Sequence, residues 1–166
     1  MTNITLQGNK IELNGVLPVV GTAAPDFKAV KADLSDFTLS DLKGKQIVLN
    51  VFPSLDTAVC ANSVRKFNKD VASHPNTVVL CISKDLPFAH ERFCSTEGLK
   101  DVVTLSTFRC DCFEKAYGLL ITDGPLKGLL ARAVIIIDEN GTIVYEELVP
   151  EIVQEPNYEA VIASLK

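Results

Sequence analysis

This sequence contains no polybasic run, no long apolar stretch and no C-x-x-C pair, and each absence removes a class of function. Sixteen basic residues stand against 21 acidic ones, a net charge of -5, so the positive footprint that phosphate backbones and anionic membranes require is missing. Nucleic acid and membrane surfaces are not expected partners. No apolar run approaches the roughly 20 residues that cross a bilayer, and the first residues, MTNITLQGNKIEL, show neither a basic n-region nor a continuous apolar h-region. The expected location is cytoplasmic, where the Asn3-Ile4-Thr5 sequon has no meaning. Five cysteines, an odd number at positions 60, 81, 94, 110 and 112, are expected there as free thiols unless chemistry uses them. Repeats, low-complexity tracts and linkers are absent too, so residues 1–166 are expected to form a single domain with a core that needs no disulfide staples. With 47% hydrophobic and 22% charged residues, disorder is excluded.

The segments that remain alternate in period. Residues 4–13, ITLQGNKIEL, read as two short strands around a Gly-Asn turn, an N-terminal β-hairpin. A connection punctuated by Pro and Gly, LPVVGTAAPDF, leads to a short strand over 27–31. QIVLNVF (46–52) and TVVLCIS (77–83) are buried strands by their β-branched runs, and between them Val64, Phe67 and Val71 recur at i, i+3 and i+7, the spacing of a helix face. PFAHERFCSTEGL (87–99) opens with a proline and closes near Gly98, as a second crossover helix would. A strand over 102–106, a short helix over 111–117, a hairpin of ARAVIIID and TIVYEEL around Glu139-Asn140-Gly141, and an amphipathic helix in NYEAVIASLK follow. The pattern implies an α/β sandwich with a mixed central sheet flanked by helices.

The stretch PSLDTAVC places Cys60 where a buried strand hands over to a helix that starts near 57–59. Cys60 precedes Val64, Phe67 and Val71 by four, seven and eleven residues, which puts its sulfur on the face against the sheet and half sheltered. Unpaired N–H groups and the helix dipole favour a thiolate there. Taking a cysteine from about 8.5 to about 6 requires roughly 3.4 kcal/mol at about 1.36 kcal/mol per unit, and a dipole supplies only about 0.3–2 kcal/mol. A cation is required. Arg65 and Lys66 point away, since they lie five and six residues further along the same helix. Arg132, at the start of the strand 133–137, is the candidate; the plain alternative is a solvated guanidinium at a strand edge. Thr57 forms T-x-x-C with Cys60, where its hydroxyl can bond the sulfur or a bound oxygen substrate, cap the helix, or do both. Pro53 fixes the loop and covers the pocket with a residue that has no N–H.

The set Pro53-x-x-x-Thr57-x-x-Cys60 after a strand, with a distant Arg132 in ARAVIIIDENG, resembles the active-site signature of peroxiredoxins. The longer stretches LNVFPSLDTAVCANSVRKFN, VVLCISKDLPFAHERFC and GPLKGLLARAVIIIDENG are similar to the bacterial thiol peroxidase branch, the atypical two-cysteine peroxiredoxins, and the likeness covers nearly the whole chain. The resemblance implies a thioredoxin-like fold, Cys60 as the peroxidatic cysteine and Cys94 as the resolving one, with Thr57, Pro53 and Arg132 completing a peroxide pocket. It also implies a thiol-dependent peroxidase acting on hydrogen peroxide and organic hydroperoxides in antioxidant defence, recycled by thioredoxin through a Cys60–Cys94 disulfide. Cytoplasmic homodimers belong to the same implication, and no cofactor or metal is expected. Cys60 and Cys94 are 34 residues apart on different helices, so joining them is expected to require local unwinding if their Cα atoms start more than about 7 Å apart.

Two other classes compete. A general thiol-disulfide oxidoreductase or isomerase lacks its C-x-x-C, and a soft-metal carrier built on Cys110-x-Cys112 lacks two further ligands. Cys110 and Cys112 match no motif of the resembled family and are expected to be structural or free thiols. Cys81 reads as a small buried apolar side chain, and His74 and His90 as helix-surface histidines, with His90 placed to tune Cys94. The loop 123–128, DGPLKG, lacks phosphate-loop spacing; it is expected to position Arg132 and to form part of a dimer surface.

Overall fold

The computed structural model describes residues 3–166. Strands β1 (Ile4–Leu6) and β2 (Asn9–Ile11) form the N-terminal hairpin. Its turn is Gln7-Gly8, one residue earlier than the Gly-Asn turn that the sequence suggests, because Leu6 pairs with Asn9 and the two loop residues carry φ of 50° and 81°. A two-residue type I′ turn needs positive φ at both positions, and Gly8 supplies the second at no steric cost. Glu151 clamps the hairpin, accepting from Thr5 Oγ1 and from the backbone N–H of Gln7 and Gly8.

β3 (Lys28–Lys31) and β4 (Asp36–Thr38) follow, then a 3-10 turn over Leu39–Leu42. The sequence hides β4, because three residues with one apolar side chain carry no readable period. Next come β5 (Gln46–Val51), α1 (Ala58–Asp70), β6 (Thr77–Ser83), α2 (Pro87–Glu97), β7 (Val102–Ser106), α3 (Cys112–Tyr117), β8 (Ala133–Ile137), β9 (Ile143–Leu148) and α4 (Tyr158–Ala163). The seven-stranded sheet has the order β4-β3-β7-β6-β5-β8-β9. β5, β6 and β7 are parallel, joined by crossovers through α1 and α2, and the remaining pairs are antiparallel. It is the α/β sandwich with a mixed sheet and an added hairpin.

Each central strand feeds two cores by alternation. Ile47, Leu49 and Val51 of β5 face one layer, where Phe27, Phe113 and Tyr117 sit, while Val48 faces the other with Val64, Phe67 and Val71 of the α1 layer. Burying a side chain of this kind stabilises by about 1.5–3 kcal/mol, and β5 is buried on both faces, one wholly apolar and the other with Val48 between the buried polar Gln46 and Asn50. α2 ends at Gly98, whose φ of 68° is the left-handed conformation that glycine adopts without strain. It is weakly anchored: Pro87 and His90 are its buried residues, against five in α1. Among the described residues no helix is long and apolar enough to cross a membrane.

Candidate active site

The parallel order sends the loops after β5, β6 and β7 to one edge of the sheet, the usual place for chemistry in open α/β sheets. The first of these loops carries Pro53 and Thr57 into α1. Cys60 lies in the first turn of that helix and is a free thiol with 0% exposure. Enclosure goes further than the half shelter expected, because Phe52, Leu55 and Val64 pack into the same apolar cluster as the sulfur.

Arg132 comes to this sulfur by strand alternation. It shares the face of Val134 and Ile136, which looks toward α1, and it is 3% exposed, so the solvated guanidinium is not found. Nη2 donates to Cys60 Sγ at 3.2 Å and Nε donates to Ile152 O at 2.9 Å, while Nη1 is buried with no partner among the described residues. Arg65 and Lys66 are spent elsewhere: Arg65 holds Glu97 of α2 through two bonds of 2.9 Å, and Lys66 pairs with Asp70. Tyr158 of α4 packs edge-on against Phe67, and its hydroxyl, pushed up by burial and then by Glu155, donates to that carboxylate.

Thr57 occupies the N-cap position, yet its side chain neither caps the helix nor meets the sulfur. It is exposed, and Oγ1 donates to Ser54 O at 3.0 Å, closing the loop on itself. Pro53 is buried. Asp85, just past β6, ties this loop down: its carboxylate accepts from Ser54 Oγ (2.7 Å), the Leu55 N–H (2.8 Å) and Ser83 Oγ (2.7 Å). Since the Ser83 proton goes to Asp85, the 2.8 Å contact between Ser83 Oγ and His90 Nε2 runs from an Nε2–H to the hydroxyl, leaving Nδ1 as an acceptor with no partner among the described residues. His90 is thus buried and not a surface histidine, and burial pushes it down to about 4. It turns toward Ser83, away from any tuning of Cys94, whose thiol is raised by its own burial.

Cys94 on α2 is a half-buried free thiol, unbonded to Cys60. It lines a cleft with Lys31, Asp33, Glu91 and Lys100, whereas Leu55, Thr57, Ala61, Arg92 and Phe93 line the groove between the start of α1 and α2. Cys81 is fully enclosed, its thiol pushed up to about 12 by burial. Cys110 and Cys112, expected as structural or free thiols, form a disulfide; the turn into α3 brings their Cα atoms to 5.4 Å, within bridging range. Among the described residues no cluster of three or more metal-ligating side chains occurs.

The Redoxin family pattern matches residues 19–162. Thiol peroxidases of Mycobacterium bovis and Mycobacterium tuberculosis are each 52% identical to the chain over 165 residues, 99% of this chain and 99% of theirs. The chain belongs to the thiol peroxidase family of redoxins. Among solved structures, a peroxiredoxin-like protein from Aquifex aeolicus superposes with a TM-score of 0.93 at 41% identity, covering 98% of this chain and 95% of that one. A thiol peroxidase from Chromobacterium violaceum shares the fold, with a TM-score of 0.89 at 24% identity over 97% of this chain and 94% of its own. The architecture is therefore the thioredoxin-like one of peroxiredoxins, and the protein is an enzyme of the peroxiredoxin type.

In this thiol peroxidase family member, the reading of the sequence passes over Ser83 and Asp85 and gives His90 a different role. A signal exists: Ser83 is a polar residue closing a buried strand and Asp85 lies just past it, on the edge that also carries PSLDTAVC. What the sequence lacks is any mark that three separate donors converge on Asp85.

Proposed function

We propose that the chain reduces hydrogen peroxide and organic hydroperoxides with Cys60 as the attacking sulfur and Cys94 as the resolving one. The observation that carries the reading is Arg132: one guanidinium nitrogen lies 3.2 Å from Cys60 Sγ, and another is buried with no partner among the described residues, a donor left for a peroxide oxygen. The Cys60 thiolate attacks the peroxide, an S–O bond forms as the O–O bond breaks, and the alkoxide or hydroxide leaves and takes up a proton. Cys60 is then a sulfenic acid. The Cys94 sulfur displaces its oxygen as water and leaves a Cys60–Cys94 disulfide, which thioredoxin reopens by dithiol exchange.

In this reading Thr57 and Pro53 shape the mouth of the pocket, with the Thr57 oxygen free to accept from a bound hydroperoxide because its own proton is given to Ser54. Joining Cys60 to Cys94 requires α2 to loosen. Its two buried residues and the exposed ion pairs that tie it down, Arg65–Glu97 and Arg92–Asp56, are consistent with low local stability. Homodimers and a cytoplasmic setting belong to the same proposal and rest on the family and on cysteine usage.

The test is peroxide consumption coupled to thioredoxin and its reductase, on wild type, Cys60→Ser and Cys94→Ser. A dead Cys60→Ser supports the assignment of the nucleophile. Continued turnover in Cys60→Ser would make that cysteine a packing residue and end the proposal.

A further inference from the structure

The FRCDCF loop holds chemistry that peroxide reduction at Cys60 does not use. Cys110 and Cys112 are bridged while Cys60, Cys81 and Cys94 stand as free thiols. Such a bridge is either an inert staple or an exchangeable pair. As a staple it has little to do, because a disulfide stabilises chiefly by restricting the unfolded chain, and one that spans a single intervening residue restricts it least. The helix that follows is anchored without it. Phe113 packs edge-on against Phe27 and stacks on Tyr117, Tyr117 Oη donates to Pro25 O at 2.7 Å, and Lys115 pairs with Asp111. The loop itself is pinned to β4 by Arg109, which bonds Asp36.

For exchange, the position suits. Both cysteines are partly exposed, and Phe108, Arg109, Asp111 and Lys115 around them are exposed, so an external sulfur can reach the bridge. Accessible disulfides are the labile ones, since exchange requires a thiolate to approach a sulfur. The loop leaves β7 beside Ser83, with Thr107 N–H donating to Ser83 O, and Lys84 of the neighbouring loop pairs with Glu114 of α3. The bridge therefore sits on the sheet edge that carries the Cys60 loop, with the Asp85 loop between them.

We propose that Cys110–Cys112 is a second redox-active centre, a disulfide that exchanges with an external dithiol independently of Cys60 and Cys94. A thiolate of the dithiol attacks one of the two sulfurs, the protein S–S bond breaks and a mixed disulfide forms. The second thiol of the reductant then displaces the protein sulfur. The reductant leaves as its own disulfide, and the chain retains two thiols, having gained two electrons and two protons. The reverse exchange with oxidised dithiol closes the bridge again.

The experiment equilibrates the full chain in a series of ratios of reduced to oxidised dithiothreitol, alkylates the free thiols, digests, and reads each cysteine peptide by mass. The expected result is one reversible transition of the Cys110 and Cys112 peptide, from both sulfurs blocked to both labelled. It falls at the same ratio in wild type and in the Cys60→Ser/Cys94→Ser double variant. Labelling at every ratio, blocking at every ratio, or loss of the transition in the double variant would each overturn the proposal. In Cys110→Ser, Cys112 should be labelled throughout; a Cys112 that stays blocked would refute the pairing. Cys60 and Cys94 are read on their own peptides, so failure here leaves the peroxidase reading standing.

Discussion

Acid should loosen the helix that carries Cys94, through His90. The ring is fully buried, its Nε2–H is given to Ser83, and its Nδ1 has no partner among the described residues, so a second proton would create a buried charge with an unpaired N–H. Desolvation, only partly offset by Asp85, holds the pKa down to about 4, against 6.5 for an open histidine. A depressed folded value means that the neutral ring's contribution is complete above pH 6.5 and is lost as pH falls toward 4. The gap between 6.5 and about 4, at about 1.36 kcal/mol per pH unit, amounts to about 3 kcal/mol. Because α2 buries little else, detaching it is a smaller step than global unfolding. Amide hydrogen exchange read by mass spectrometry over residues 87–97 measures this at pH 7 and pH 4.5. After correction for intrinsic rates, protection of the α2 amides should fall on the order of 10²-fold in wild type. It should change far less in His90→Gln, while α1 holds in both. Equal protection of α2 at the two pH values, or an equal fall in His90→Gln, would refute the reasoning.

Two further substitutions probe the pocket. Arg132→Met keeps the stem volume but removes the donors to Cys60 and Ile152 and the free Nη1; kcat/KM for peroxide should drop about 10²–10³-fold by stopped-flow, as when one oxyanion donor is lost. A loss smaller than threefold would show that the guanidinium is structural. Asp85→Ala strands the Ser54, Leu55 and Ser83 donors, at about 1–3 kcal/mol for each that stays dry. The thermal midpoint should fall on the order of 10 °C by calorimetry, and an unchanged midpoint would mean that water replaces the carboxylate.

Much of the framework is legible in the chain because burial on two faces forces it. β5 and β6 are long β-branched runs, and in β8 the even positions lead from Ile136 back to Arg132, so its side of the sheet follows from period alone. Short elements are not legible: β4 has three residues, and the hairpin turn shifts by one because backbone φ, not residue type alone, decides it. Within the site, residue identities are readable, while burial and partner choice are not. Cys60 is enclosed by Phe52 and Leu55, which come from the strand end and loop ahead of its helix. His90 points inward because its polar neighbours at the end of β6 offer it a bond. Thr57 gives its proton to Ser54, a choice between backbone acceptors that spacing does not reveal.

The most direct test of the account adds one equivalent of peroxide to the reduced protein and maps the cysteine peptides by mass. Wild type should show Cys60 joined to Cys94, and Cys94→Ser should stop with a trapped sulfenic acid on Cys60. Peroxide left unconsumed by wild type, or oxygen found on another cysteine while Cys60 stays a thiol, would contradict it.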